Sequence, residues 1–185
     1  MVSKTDIDDE SGDESGDESK LLSIYGDINE EMSAEIVQSL FLLAKINNDP
    51  IQLIVSTHGG VAEELFAIYD TMRIIREEVP IYTLGLGKVM SSGLLILSGG
   101  TKGHRRAGKN ARFMFHDINS TYGGTLAELK NSFEETKILQ QKYLIALADE
   151  TGNEIGVFRK MISKKKDIFF SPKKALELKI IDKIL

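Results

Sequence analysis

Short apolar runs alternate with amphipathic segments along the chain from about Leu21 onward. The spacing of the apolar positions predicts, in order, a strand at 20–26, a helix over about 31–46, a strand at 51–56, a helix over about 61–77, a strand at 80–86, a short helix within 87–100 and a strand at 111–116. Strands that alternate with helices in this way are typical of right-handed crossovers and a largely parallel sheet. The expected fold class is therefore α/β.

A longer helical pattern follows, without proline or glycine. Thr125 and Glu128 have the spacing of a capping box, and the pattern continues to about Glu150, which corresponds to roughly 37 Å of helix. A helix about as long as the domain is wide is expected to project from the body. Its apolar residues are too many for a solvated rod, so either some are buried against another subunit or the helix folds back over the sheet; they are Leu126, Leu129, Phe133, Ile138, Leu139, Tyr143, Leu144 and Leu147.

Turn and cap residues mark further boundaries. Asp27 or Asn29 is placed to cap the first helix, and "THGG" at 57–60 is expected to turn the chain into the second. Ser171 and Pro172 predict an N-cap with proline at the first helical position. The remaining predicted elements near the C-terminus are a helix near 153–163, a short apolar run after Asp167 and a small strand within 180–185.

The N-terminal segment has a different composition from the rest. Residues 1–19 hold eight acidic residues and one lysine, which leaves 20 acidic and 22 basic residues in a nearly neutral body. The repeat "SGDESGDES" has no hydrophobic residue with which to offset the entropy of ordering. We therefore expect a disordered acidic tail over 1–20 and one folded domain over 21–185.

The composition of the chain excludes several kinds of site and argues against several classes of protein. The chain has no cysteine, so a disulfide framework, a thiol nucleophile and a cysteine-rich zinc site are excluded. We expect a soluble cytoplasmic protein, because there is no secretory signal pattern and no apolar run near the roughly 20 residues that span a bilayer. The sequence contains no basic stripe with interleaved aromatic residues, so it does not indicate nucleic-acid binding.

The stretch "GKVMSSGLLILSGG" at 87–100 places two adjacent serines, Ser91 and Ser92, at the start of a helix. A serine hydrolase needs a hydroxyl on a rigid turn, an imidazole beside it, a carboxylate to orient that imidazole, and backbone N–H donors for the oxyanion. A helix start supplies free N–H groups and a positive dipole end. A serine at this position is, however, more often a helix cap, so the residues alone leave both roles open.

The candidate bases are the three histidines of the chain. His116 ends an apolar strand, where a partly buried imidazole is expected. His104 lies in a polar turn and is expected to be solvated, whereas His58 precedes a glycine pair and is expected to be structural. Asp167 follows three lysines and would by itself be read as a surface charge.

Several motifs, in one order, resemble those of the ClpP family, the proteolytic subunits of Clp proteases. They are "VSTHGGV", "IYDTM", "GKVMSSG", "ARFMFH", "STYGGT" and "KDIFFSPKKALELKIIDKIL". The resemblance covers about 21–185. It implies a crotonase-like fold of repeated ββα units with a protruding handle region over about 117–150.

The resemblance also implies a catalytic site. The family's catalytic serine, histidine and aspartate fall on Ser91, His116 and Asp167, and the oxyanion donors on the backbone N–H groups of Gly60 and Ser92. The implied activity is serine endopeptidase hydrolysis of peptides and unfolded proteins through an acyl-enzyme. Such chemistry needs neither a metal nor an organic cofactor.

The substrate groove and the assembly follow from the same resemblance. Peptide is expected to bind as an extended strand beside Gly59, Gly60, Asp117 and Ile118. The expected assembly is two stacked heptameric rings, fed by an AAA+ unfoldase. The acidic tail replaces the family's apolar N-terminal loops, which contact the unfoldase, so docking is expected to differ.

Three other interpretations of the sequence compete with the peptidase. A non-catalytic ring subunit would typically lack triad residues, and a crotonase-fold enzyme acting on acyl-CoA would not need all three. A Ser–Lys dyad would use Lys88 in place of His116, but nothing in the sequence favours that lysine.

Overall fold

A computed structural model describes residues 20–163 and 166–185 of the chain. Strands and helices alternate within these ranges as the apolar pattern predicts, so the α/β prediction is confirmed. The elements are β1 (Leu21–Ile28), α1 (Glu30–Ala44), β2 (Ile51–Gly60), α2 (Ala62–Ile75), β3 (Ile81–Met90), α3 (Ser92–Ser98), β4 (Arg105–Ala107), β5 (Arg112–Phe115), α4 (Leu126–Thr151), α5 (Ile155–Ile162), β6 (Ile168–Phe170), α6 (Pro172–Glu177) and β7 (Lys183–Ile184).

The strands form one sheet that divides at β3. Strands β1, β2, β3, β4 and β7 lie side by side in that order, all parallel. The first half of β3 pairs with β4, and its second half pairs with β5. The switch of partner coincides with a register irregularity on β3 and a positive φ of 61° at Gly87. The outer strand β6 then pairs with β5 in the antiparallel sense.

The short helix α3 lies at the centre of the core. All seven of its residues are buried, and it contacts β2, β3 and α4. A helix that is apolar on every side must be enclosed by other elements. Strand β2 buries one face in the same core through Ile51, Leu53 and Val55, whereas Gln52 on its other face is exposed. The start of α3 is thereby held rigidly within the domain.

Two ion pairs, each with one buried partner, tie α3 to the rest of the domain. Glu150 of α4 accepts hydrogen bonds from both terminal nitrogens of Arg76 and from the Tyr69 hydroxyl. Arg76 also donates to the carbonyl of Gly99, at the end of α3. Arg105 donates to the carbonyls of Ser98 and Glu150 and pairs with Asp182 at 2.6 Å. These cations face the negative end of the α3 dipole, which is a favourable arrangement.

The long helix α4 resolves the two alternatives left by the sequence. It spans 26 residues and begins with the predicted capping box of Thr125 and Glu128. Its second half packs onto the body through Tyr143, Leu144 and Leu147, whereas Leu126 and Phe133 in its first half are 84% and 56% exposed. The helix therefore folds over the body at one end and presents an apolar surface at the other.

Several boundaries differ from the prediction. Strand β2 continues through the "THGG" segment to Gly60, and β3 continues to Met90, because neighbouring strands extend the ladders past the apolar runs. Strand β4 lies in a segment predicted as a polar turn. Asn29 caps α1 by accepting from the Met32 N–H. Pro172 is at the first position of α6, but the side chain of Ser171 makes no capping hydrogen bond.

The predicted acidic tail, apart from Lys20, lies outside the described residues. Lys20 is buried, and its amine donates to the carbonyls of Asn47 and Asp49. None of the helices within 20–163 and 166–185 is both long and apolar enough to cross a membrane.

Asp182 makes the stability of this fold depend on pH. Burial by itself raises the pKa of Asp182, but hydrogen bonds from Arg105 and Gly103 and the charge of Arg105 hold that pKa below its ordinary value. A lowered folded-state pKa means that the stabilisation is complete above the unfolded pKa of about 3.9 and is lost as pH falls through the folded-state pKa.

We therefore expect Asp182→Asn to lower the free energy of unfolding at pH 7 by about 3 kcal/mol, since it leaves the Arg105 guanidinium buried and unpaired. Urea denaturation between pH 7 and about pH 2 should show the difference from wild type shrinking toward zero as Asp182 becomes protonated. A difference that stays constant over this range would contradict the assignment.

Candidate active site

Ser91 lies on a strained turn between β3 and α3. Its φ is 52° and its ψ is −120°, a conformation that costs a residue with a side chain about 1–3 kcal/mol and persists only where the surroundings enforce it. The Ser91 N–H donates to the Met114 carbonyl at 2.9 Å. The Ser91 carbonyl accepts from the Leu94 N–H at 3.0 Å and from the Tyr143 hydroxyl at 2.9 Å. Three elements, β5, α3 and α4, therefore fix this turn.

His116 reaches Ser91 because β5 pairs with the end of β3. Met90 is opposite Met114 in this parallel ladder, so the two chains leave the sheet side by side. His116 follows β5 directly, and its Nε2 lies 2.8 Å from the Ser91 Oγ. The side chain is partly buried, as predicted from its place at a strand end. The imidazole is within hydrogen-bonding distance of the hydroxyl.

Asp167 is brought to His116 by the antiparallel pairing of β6. Phe115 is opposite Ile168 in this ladder, so the next residues along, His116 and Asp167, face each other. The His116 Nδ1 lies 3.4 Å from the Asp167 Oδ1, and the aspartate side chain is 56% exposed. This separation is longer than an ordinary hydrogen bond, and catalytic hydrogen bonds are often long before substrate binds.

Gly60 and Ser92, the residues of the two predicted oxyanion donors, line the same cleft as Ser91. The N–H of Val61 donates across the ladder to the Ile28 carbonyl, so the polar groups of Gly60 point to the other side of β2. The Gly60 carbonyl accepts from the Ser92 hydroxyl at 3.3 Å, which places Gly60 beside the start of α3. Ser92 is the first residue of α3, and its N–H has no partner within the helix.

Glycine is required at Gly59 and Gly60 for steric reasons. Gly59 has a φ of 103°, and an added Cβ would lie 2.6 Å from the Ser91 Cβ. A Cβ on Gly60 would overlap the backbone of Ile28. The chain at these two residues is therefore packed between β1 and the serine turn.

A cleft of about 610 Å³ opens in front of Ser91 and His116. That volume lies within the range of ligand-binding clefts, about 300–1,000 Å³. Its lining includes the predicted groove residues Gly60, Asp117 and Ile118, while Gly59 is buried behind Ser91. The apolar part of the lining consists of Val61, Ala62, Leu65, Phe66, Ile118, Leu139 and Tyr143, and the carboxylates are Glu63, Asp117 and Glu135. The cleft thus has an apolar wall and an acidic rim.

The two other histidines, His58 and His104, take no part in the contact between Ser91 and His116. The expectation that His104 is solvated is wrong: its ring stacks on Tyr82 at 3.8 Å, and its Nδ1 is buried. His58 lines the cleft with its side chain 60% exposed, 3.9 Å from Asp27. Within the described ranges, no three His, Asp or Glu side chains are grouped closely enough to hold a metal ion.

Two residues of the site were not identified from the sequence. Tyr143 reaches the Ser91 carbonyl, and Gln140 accepts from the Ile118 N–H at 2.7 Å. Both belong to α4, where helical spacing marked Tyr143 only as a packing residue. The only sequence signal for Tyr143 was its hydroxyl on an otherwise apolar helix face. A buried hydroxyl usually has a hydrogen-bond partner, but the sequence does not show which group that partner is.

We expect Gly59→Ala to disrupt the serine turn. The new methyl group must displace Ser91, and the residue must also keep an unfavourable positive φ. The rate at which a fluorophosphonate reacts with Ser91 should fall by at least about tenfold, since a displacement near 1 Å can cost a hundredfold.

Gly103→Ala is the matched control for this change. Gly103 has a similar φ of 88°, but an added Cβ there meets no atom within 4 Å. It should lower stability by a comparable backbone strain and leave the reaction rate unchanged. Equal rates for both variants would contradict the close packing of Gly59 on Ser91.

Sequence comparisons agree with this architecture. The Clp protease family model matches residues 16–185 of the chain. One relative, the ATP-dependent Clp protease proteolytic subunit 2 of Treponema denticola, is 29% identical over 180 residues, which cover 96% of this chain and 87% of the relative. The parallel sheet with its helices is consistent with the fold of that family, and the resemblance drawn from the motifs is confirmed. The chain belongs to the Clp protease family.

Proposed function

We propose that this chain is a serine endopeptidase subunit of a Clp-type protease, which acts in the cytoplasm on peptides and unfolded proteins. Ser91 is the nucleophile, His116 the general base and Asp167 the carboxylate that orients the imidazole. The observation that carries this proposal is the 2.8 Å contact between the His116 Nε2 and the Ser91 Oγ on a strained turn. The family match supports the same reaction class.

Acylation begins when the Ser91 Oγ attacks the carbonyl carbon of the scissile peptide bond. The His116 Nε2 takes the hydroxyl proton as the new C–O bond forms, and the carbonyl oxygen becomes an oxyanion. His116 then gives this proton to the leaving nitrogen, the C–N bond breaks, and the amine product departs. Asp167, on the Nδ1 side of the ring, favours the tautomer that leaves Nε2 free to accept.

Deacylation repeats these steps with water as the nucleophile. His116 takes a proton from the water as it attacks the ester carbon of the acyl-enzyme. The proton returns to the Ser91 Oγ as the ester bond breaks, and the carboxylic acid product leaves. The reaction is balanced with water alone, so this mechanism requires neither a metal nor an organic cofactor.

The Gly60 and Ser92 N–H groups are the proposed oxyanion donors. Ser92 begins α3, so the positive end of that short helix also faces the developing charge. One such donor is typically worth about 10²–10³ in kcat. The side chain of Ser92 is not needed for this role, because the donor belongs to the backbone.

Peptide is proposed to lie in the cleft as an extended strand, between the end of β2 at Gly59–Gly60 and the segment at Asp117–Ile118. The Ile118 N–H is held by Gln140, which fixes one wall of the cleft to α4. Apolar side chains of the substrate would face the apolar wall formed by residues such as Phe66 and Leu139. An endopeptidase needs such an open cleft, since chain continues on both sides of the cleaved bond.

The proposed assembly is two stacked heptameric rings that receive substrate from an AAA+ unfoldase. The exposed apolar residues in the first half of α4, including Leu126 and Phe133, are suited to burial against another subunit. Enclosure in a chamber would protect other proteins from a peptidase of low specificity. The acidic segment 1–19 stands where the family has apolar loops, so a changed mode of unfoldase docking is part of this proposal.

The site favours a peptidase over the other interpretations. A non-catalytic ring subunit has no need of a serine, a histidine and an aspartate aligned across two strand ladders. The same alignment has no use in an acyl-CoA enzyme that relies on oxyanion donors alone. Lys88 precedes the serine turn on β3 and makes no side-chain hydrogen bond or salt bridge among residues 20–163 and 166–185, whereas His116 contacts the Ser91 hydroxyl.

We expect a fluorophosphonate probe to label the wild-type protein and Ser92→Ala but not Ser91→Ala. Only Ser91 carries the hydroxyl next to His116, while the Ser92 hydroxyl makes a weak contact with the Gly60 carbonyl. Labelling is read by intact-protein mass, and hydrolysis of a fluorogenic peptide should follow the same order. Labelling that persists in Ser91→Ala and vanishes in Ser92→Ala would overturn the assignment.

Asp167→Asn should lower kcat by about 10³–10⁴. The amide occupies the same space, but it can donate to the imidazole and so favours the tautomer in which Nε2 is protonated and unable to act as base. Steady-state peptide hydrolysis measures the effect, with thermal unfolding to verify that the variant is folded. If activity is unchanged in a folded variant, Asp167 is not the orienting carboxylate.

A further inference from the structure

The hydroxyl of Tyr143 on α4 donates to the carbonyl of Ser91, the residue with the strained backbone. We infer that Tyr143 is a positioning residue that orients the Ser91–Ser92 peptide so that the Ser92 N–H faces the oxyanion. This inference rests on the proposed function, because it assumes that Ser92 supplies an oxyanion donor. It assigns a role in the reaction to a side chain that, within the described residues, hydrogen-bonds neither to the nucleophilic oxygen nor to the base.

A single peptide unit links the Ser91 carbonyl to the proposed oxyanion donor. The carbonyl of Ser91 and the N–H of Ser92 belong to the same group of atoms, which is planar and trans. The two bonds in such a unit point in opposite directions. Whatever fixes the direction of the Ser91 carbonyl therefore fixes the direction of the Ser92 N–H.

Two donors hold this carbonyl, and they come from different elements. The Leu94 N–H, at 3.0 Å, belongs to the first turn of α3 and moves with that helix. The Tyr143 hydroxyl, at 2.9 Å, belongs to α4 and ties the peptide to a separate element. Of the two, the tyrosine bond is the one that fixes this peptide relative to α4.

The strain at Ser91 makes such an anchor necessary. With φ at 52°, the relaxed conformation for a serine has ψ at about 30–60°, in the left-handed helical region. The observed ψ is −120°, so relaxation requires rotation of the Ser91–Ser92 peptide. That rotation would break the bond to Tyr143 and turn the Ser92 N–H away from its present direction.

The side chain of Tyr143 is well suited to serve as a fixed donor. It is buried, and its ring packs against Phe115 of β5 with the ring centres 6.0 Å apart. Burial raises the pKa of the Tyr143 phenol far above its ordinary value, so the hydroxyl keeps its proton and can only donate to this carbonyl. A donor bound to the carbonyl also polarises the peptide, which strengthens a hydrogen bond from the N–H at its other end by about a tenth to a third.

The chain offers a matched control in Tyr69. That tyrosine is equally buried, and its hydroxyl donates to Glu150 at 2.8 Å. Its bond lies at the far end of α4 and does not involve the serine turn. Tyr143→Phe and Tyr69→Phe each remove one buried hydroxyl and one hydrogen bond, and Tyr69→Phe should destabilise the fold at least as much because its acceptor is a charged carboxylate.

The test compares both variants in the assembled full-length protein with a fluorogenic peptide and a peptide boronate, which mimics the tetrahedral intermediate. We expect Tyr143→Phe to lower kcat by about tenfold, less than the 10²–10³ lost when a donor itself is removed. KM should stay unchanged, and the affinity for the boronate should fall by the same factor as kcat. Tyr69→Phe should leave all three quantities unchanged.

The outcomes separate this inference from the proposed function. If Ser91→Ala is inactive but Tyr143→Phe has the kcat of wild type, the positioning role is wrong and the proposed function stands. A rise in KM without a fall in kcat would also overturn it, since that pattern indicates weaker substrate binding. Substantial activity in Ser91→Ala would overturn the proposed function, and the inference with it.

Discussion

The backbone pairing of β5 with its two neighbours is the constraint on which the site depends. On one side its parallel ladder with β3 delivers His116 to the serine turn, and on the other its antiparallel ladder with β6 delivers Asp167 to His116. Ladder hydrogen bonds fix register, and a slip of one residue would turn each side chain to the opposite face. The mutual placement of three side chains from distant parts of the sequence thus follows from main-chain hydrogen bonds, with the side chains adding only the final contacts.

The switch of β3 from β4 to β5 makes this pairing possible. A strand that kept one partner along its whole length would leave β5 no place beside the serine turn. The register irregularity in β3 and the positive φ of Gly87 allow the strand to change partner. The cost of this irregularity and of the strain at Ser91 is offset by the buried core around α3 and by the ion pairs that hold its far end.

The helix α4 has two functions that its sequence pattern does not separate. One half packs on the body and supplies Gln140, which holds Ile118 in the cleft wall, and Tyr143, which holds the serine turn. The other half presents Leu126 and Phe133 to solvent, which suits contact with another subunit. Both halves have similar apolar spacing, so periodicity predicts a helix and cannot tell a buried face from an interface. The same limit applies to His104, where a polar neighbourhood suggested solvent but the ring stacks on Tyr82.

Local spacing and residue type were enough to predict the alternation of strands and helices, the capping box at Thr125 and the candidates Ser91, Ser92 and His116, while the choice of Ser91 over Ser92 came from the family resemblance. Asp167 came only from the resemblance to a family, since an aspartate after three lysines carries no local sign of its role. The tertiary structure decided the ends of β2 and β3, the existence of β4, the contact of His116 with Ser91 and the contact of Tyr143 with the serine carbonyl. Each of these depends on hydrogen bonds between residues far apart in the chain, and such partners are set by how the elements pack together.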